Sequence, residues 1–142
     1  MRTFWLVIGI VLVLVVVGTV GLFFRMQSVN EEVALELRAN PTGERAQIVM
    51  LLSYADRTLP VNYLRENDKV FIGAHGPWWR EFDSGTVPVT MLIQGQTLTG
   101  TATTARDDQA YVDEIFARLR PTAPAWLPDW LNGVLVVINL EQ

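Results

Sequence analysis

Leu59-Pro60-Val61-Asn62-Tyr63-Leu64-Arg65-Glu66-Asn67-Asp68-Lys69-Val70-Phe71-Ile72 is the stretch that decides the fold. Residues 59–65 alternate apolar and polar, Glu66-Asn67-Asp68 has turn chemistry, and Lys69 to Ala74 reads as a second strand. Working upstream, Asp56-Arg57 is a turn and Ala46 to Tyr54 is apolar enough for a buried strand, which makes a meander of three. Downstream, His75-Gly76-Pro77 breaks the pattern, and Trp78-Trp79-Arg80-Glu81-Phe82 runs to a loop at Asp83-Ser84-Gly85. Val87 to Gln94 and Thr97 to Ala105 pair across Gly95-Gln96, a Gly-X loop suited to a type II′ hairpin.

One clear helix follows. Val112, Ile115, Phe116 and Leu119 recur at helical spacing between Asp107-Asp108 and Arg118 with Arg120, which places acids and bases to suit the helix dipole. Pro121 stops it. A proline-rich connector with Trp126 and Trp130 leads to Val134–Leu140, nearly all apolar as a buried closing strand is. The expected domain is a six-stranded antiparallel split β-barrel with one to two helices, covering residues 46–142.

Ahead of it lies a different composition. Phe4 to Phe24 is a run of 21 uncharged residues, 16 of them Leu, Ile, Val or Phe. As a helix it spans about 31 Å, close to the ~30 Å bilayer core. Its side chains favour insertion by about 5–10 kcal/mol. The run is too long for a cleavable signal sequence, and Leu22-Phe23-Phe24-Arg25-Met26 has no small-x-small site. The reading is a membrane anchor over 1–25, contacting lipid through residues 4–24, in a single-pass protein of the plasma (inner) membrane. Arg2 on one flank and Arg25 with Arg38 on the other leave orientation open, with a lean to a cytoplasmic domain. Residues 26–45 read as a juxtamembrane helix and turn: Ser28-Val29-Asn30-Glu31 fits a capping box, and Asn40-Pro41-Thr42-Gly43 ends the element.

All 15 acidic residues lie beyond Met26, against nine of the 11 basic ones, so that part carries a net −6. This argues against nucleic acid as a partner and against docking on anionic lipid. Cysteine is absent, which removes disulfides, thiolate metal sites and a cysteine nucleophile. There is no phosphate loop, GxGxxG, HExxH or GxSxG, and histidine occurs once, so no catalytic residue and no metal site are assigned.

The densest unusual segment is Gly73-Ala74-His75-Gly76-Pro77-Trp78-Trp79-Arg80. Small residues let backbone approach a ligand, and Arg80 is placed to bind phosphate or carboxylate in a bidentate way. Two adjacent tryptophans do not share one face, so at least one is expected to face a groove, a partner or the membrane. A rim that plugs the barrel with aromatic bulk is the plainer alternative. His75 is read either as a locally bonded turn histidine or as a donor to a ligand at the barrel mouth. Trp126 and Trp130 are read either as a cover for the barrel end or as a second membrane contact.

The segment Leu59–Ile72, with the hairpin of residues 87–105, the helix of 107–120 and the last strand, resembles the split-barrel flavin-binding superfamily. That group includes the pyridoxamine 5'-phosphate oxidase-like proteins and the F420 (deazaflavin)-dependent nitroreductase and quinone reductase family. The resemblance implies FMN or F420 as cofactor, a quinone or nitro-type acceptor, and admits a homodimer. It implies a cofactor rim of Asn62, Tyr63, His75, Gly76, Trp79 and Arg80, with Arg57 or Arg80 at the phosphate. The chain departs from the family between its first two strands. Only Tyr54-Ala55-Asp56-Arg57-Thr58 stands where a Gly-Arg-x-Ser-Gly stretch is usual. Two functions therefore stand: a membrane-anchored oxidoreductase of this class, or a cofactor-free split-barrel module for binding or scaffolding at the membrane.

Overall fold

The computed structural model describes residues 1–124, 126–128, 131 and 133–141. Helix α1 (Arg2–Ala39) is followed by a 3₁₀ turn (Arg45–Gln47) and strands β1 (Val49–Tyr54), β2 (Arg57–Asn62), β3 (Leu64–Glu66) and β4 (Lys69–Ala74). A second 3₁₀ turn (Pro77–Phe82) precedes β5 (Val87–Ile93), β6 (Gln96–Ala105), α2 (Gln109–Leu119) and β7 (Val134–Leu140). The strands form one antiparallel sheet in the order β2-β1-β5-β6-β7-β4-β3.

Burial explains why several strands read as unbroken apolar runs. One face of the curled sheet encloses the main core, which includes Met50, Leu52, Tyr54, Val70, Ile72, Met91, Ile93, Val136 and Ile138. The other face is covered in two places. Helix α2 lays Val112, Ile115 and Phe116 on Phe71, Leu135 and Val137. The last turns of α1 set Leu37 on Ala46 and Leu51. Strands covered on both faces lose the alternation that a one-sided strand keeps.

Seven strands replace the expected six because residues 59–65 are not one strand. Asn62 is the last residue paired to β1, opposite Val49, and Leu64 is the first paired to β4, opposite Phe71. Between them Tyr63 donates its backbone N–H to Ile48. Consecutive residues thus belong to the two opposite ends of the sheet, and one residue joins them. Leu59, Val61 and Tyr63 face the main core, whereas Leu64 packs on the α2 side of the sheet.

Two local expectations are corrected. The β5–β6 loop is Gln94-Gly95, since Ile93 pairs with Gln96, and both loop residues have positive φ (48° and 79°). That is a type I′ turn, one residue earlier than the expected type II′. The helix does not restart at Ser28. Helix α1 runs 38 residues without a break, about 57 Å, and Ser28 Oγ donates to the carbonyl of Arg25 inside it. A formed helix propagates through residues that would cap a new one, because nucleation is the costly step. One described helix is long and apolar enough to cross a membrane.

Candidate functional site

The 3₁₀ turn of Pro77–Phe82 builds one end of the barrel. Gly76 is extended and Pro77 opens the turn, as its fixed φ and missing N–H allow. A Cβ on Gly76 would stand 2.9 Å from Cδ1 of Trp78, so glycine lets that indole fold back over the chain. Phe82 is fully buried and anchors the turn. Its ring meets Tyr54 edge-on at 4.9 Å, and Trp78 stacks on Tyr54 at 6.2 Å. Both tryptophans are half-buried against the main core. At three residues per turn, successive side chains of a 3₁₀ segment diverge by about 120°, which lets neighbouring indoles both reach inward.

Charge gathers on the outer side of this turn. The guanidinium of Arg106 lies 4.8 Å from the Trp79 ring centroid, and that of Arg80 lies 5.5 Å from it. Arg106 is held by Asp83 at 2.8 Å, and Thr104 Oγ1 donates to the same carboxylate at 2.6 Å. Arg57 reaches Glu81 at 3.6 Å. Its pKa is held above the usual arginine value by the Tyr54 hydroxyl first and Glu81 second. The Tyr54 hydroxyl is itself buried and makes no hydrogen bond of good geometry.

Four of the seven expected site residues, Arg57, Gly76, Trp79 and Arg80, lie on or against this turn. His75 lies just before it but turns to the end of α2, where its Nε2 meets the guanidinium of Arg120. Burial and that cation hold the imidazole below its ordinary pKa. Burial also lowers Arg120, which lies over the Phe116 ring at 5.4 Å. Asn62 and Tyr63 are at the other end of β2, away from Arg57. Tyr63 is buried, its hydroxyl donating to the carbonyl of Ala46 at 3.0 Å and accepting from Gln94 Nε2 at 3.2 Å. The structure therefore divides the expected rim between two ends of the barrel.

Arg106, Asp83 and Thr104 are the residues that sequence reasoning missed. Asp83 looked like loop punctuation, and Arg106 lies 23 positions away with no local motif linking the two. Only the β6 pairing brings Arg106 over Trp79. Among the described residues no three His, Asp or Glu converge as metal ligands. Trp126 is 78% exposed, and Trp130 lies outside the described residues.

No family model and no curated protein matches the sequence. Solved structures do match the fold. A Listeria innocua protein provisionally named a pyridoxamine 5'-phosphate oxidase aligns at a TM-score of 0.55 and 16% identity, over 66% of this chain and 84% of its own. A Jannaschia protein provisionally named general stress protein 26 aligns at 0.48 and 14% identity, over 68% and 69%. The first likeness establishes a split-barrel-type fold.

Proposed function

We propose that this chain is a membrane-anchored split-barrel oxidoreductase that holds a flavin or deazaflavin at the Pro77–Phe82 end of its barrel. The observation that carries the reading is Trp79 flanked by Arg80 and Arg106, on a fold similar to a protein named for pyridoxamine 5'-phosphate oxidase. An indole with two guanidiniums close to its ring suits a planar, anionic molecule. The donor set fits such a group. Trp79 brings an aromatic surface to the turn, and Arg80 beside it has no carboxylate partner among the described residues. A bound flavin or deazaflavin supplies hydride or electron transfer itself. The chain's own part is then to orient the ring on Trp79, neutralise the phosphate with Arg80, and exclude water with Trp78 and Phe82.

The anchor supports the choice of acceptor. A domain tethered by a helix of membrane-spanning length and apolarity meets lipophilic molecules in the bilayer, so a quinone is the favoured acceptor and a nitro compound the second. We place the chain in the plasma (inner) membrane with the barrel on the cytoplasmic side, where reduced cofactors are made. A reporter fused after Gln142 tests that placement. Absorbance scans and titration of the full chain in mild detergent with FMN and F420 test the cofactor. Binding of either with a Kd near 1 μM supports the reading, and no binding at about 100 μM of both overturns it.

One observation favours a second reading. Arg57 and Arg106 are already paired with carboxylates, and among the described residues no charged side chain is buried. A cofactor-free binding module at the membrane accounts for both. In that case a Trp79→Ala, Arg80→Ala double variant disturbs partner capture and changes no redox activity.

A further inference from the structure

Three segments distant in sequence meet at the end of the barrel opposite Trp79. Gln47 comes from the turn after α1, Tyr63, Leu64 and Arg65 from the junction of β2 and β3, and Ile93, Gln94 and Gln96 from the β5–β6 hairpin. They line a cavity of about 330 Å³. That is near the lower end of the range for small-molecule sites, roughly 300–1,000 Å³.

The lining is polar for a cleft over a barrel core. It holds three carboxamides, one guanidinium and one phenol, with Leu64 and Ile93 as apolar walls. Arg65 is exposed and makes no ion pair among the described residues, whereas its neighbour Glu66 is taken by Arg118. Gln94 occupies a left-handed position, φ 48°, at a type I′ turn where Asn or Gly is usual. A residue kept in an unfavourable conformation points to a role for its side chain. Here the Gln94 amide reaches the Tyr63 hydroxyl with one hydrogen, which leaves its oxygen and second hydrogen for another partner.

We propose that this cavity binds a small planar carboxylate that also bears amide-like donors and acceptors. Arg65 takes the carboxylate through its two-pronged guanidinium. The carboxamides of Gln47, Gln94 and Gln96 pair with the amide edges, and Ile93 supplies an apolar wall for the ring. The site is independent of the flavin reading, since it shares no residue with the Trp79 end.

The probe is orotate, with uracil as the analogue that lacks the carboxylate, titrated into the full chain in mild detergent by calorimetry and saturation-transfer NMR. Orotate is expected to bind saturably with a Kd below about 1 mM, and uracil at least about tenfold more weakly. Arg65→Gln is expected to weaken orotate at least about tenfold with an unchanged Tm, because the residue is exposed and its replacement still hydrogen-bonds. Gln94→Asn relaxes the turn and shortens the arm, so it should raise Tm and weaken orotate together. The proposal is overturned by no saturable orotate binding below about 5 mM, by uracil binding equally well, or by full orotate affinity in Arg65→Gln.

Discussion

The hydroxyl of Tyr63 donates to the carbonyl of Ala46 at 3.0 Å, tying the residue where the two sheet ends join to the turn that follows α1. The hydroxyl is buried and accepts a second hydrogen bond from Gln94 Nε2. Tyr63→Phe removes the phenol and leaves the Ala46 carbonyl without that partner. The expected loss is about 1–3 kcal/mol, read as a lower denaturation midpoint with an unchanged m-value.

Gly100 pairs with Leu140 where β6 lies beside β7. A Cβ there would stand 2.5 Å from the Asn139 carbonyl oxygen and 2.9 Å from Cγ2 of Ile138. The first neighbour is backbone and does not swing aside. Gly100→Ala should cost about 1–3 kcal/mol through displacement of the β6–β7 pairing, and thermal unfolding measures it.

Ala55 holds φ 47° in the two-residue turn between Tyr54 and Arg57. A non-glycine residue there costs about 1–2 kcal/mol, against roughly 0.5–1 kcal/mol of extra chain entropy that glycine gives up on folding. Ala55→Gly should therefore raise stability by up to about 1 kcal/mol. An unchanged or lower Tm would show that the turn is not strained.

His75 predicts a pH dependence. Its folded-state pKa is below the ordinary value because burial and Arg120 disfavour the imidazolium. The unfolded chain then binds more protons between that lowered pKa and about 6.5, so stability rises with pH across this window. Acidification from about pH 6.5 should weaken the fold before the carboxylates titrate. His75→Gln should flatten the slope there, as denaturation midpoints at stepped pH would record.

The anchor is tested by extraction. The chain should stay with membranes in high salt and alkaline carbonate and leave them in detergent. Peptides from the 4–24 run should be recovered from the membrane-bound protein, whereas their loss would mark a cleaved leader.

Much of the barrel was legible because half-solvated strands write their period into the sequence and doubly covered ones read as short apolar runs. The last strand, the 87–105 hairpin and helix α2 all follow from apolar spacing and turn residues. What alternation does not encode is the partner. At Tyr63 the neighbour changes from β1 to β4 with no break in extended sequence, so two strands read as one. The Ser28 capping box failed for a related reason. A local signal was outweighed by the cooperativity of a helix already formed on its N-terminal side. At the candidate site, local composition drew attention to Trp79 and Arg80. Arg106 and Asp83 join them only through strand pairing, and no short-range pattern contains that.

The unbroken helix has a mechanical consequence. A flexible linker would let the barrel wander over a hemisphere of solution. Here the segment from Arg25 to Ala39 continues the apolar run as one rod of about 22 Å, its last turns packed on the sheet. If the apolar run spans a bilayer as proposed, any lean of the rod would pass to the barrel as a lever passes it. A lean of about 20°, common for such helices, swings the far end sideways by about 8 Å. In the anchored reading proposed above, the attitude of the barrel to the lipid surface would therefore follow the tilt of the rod.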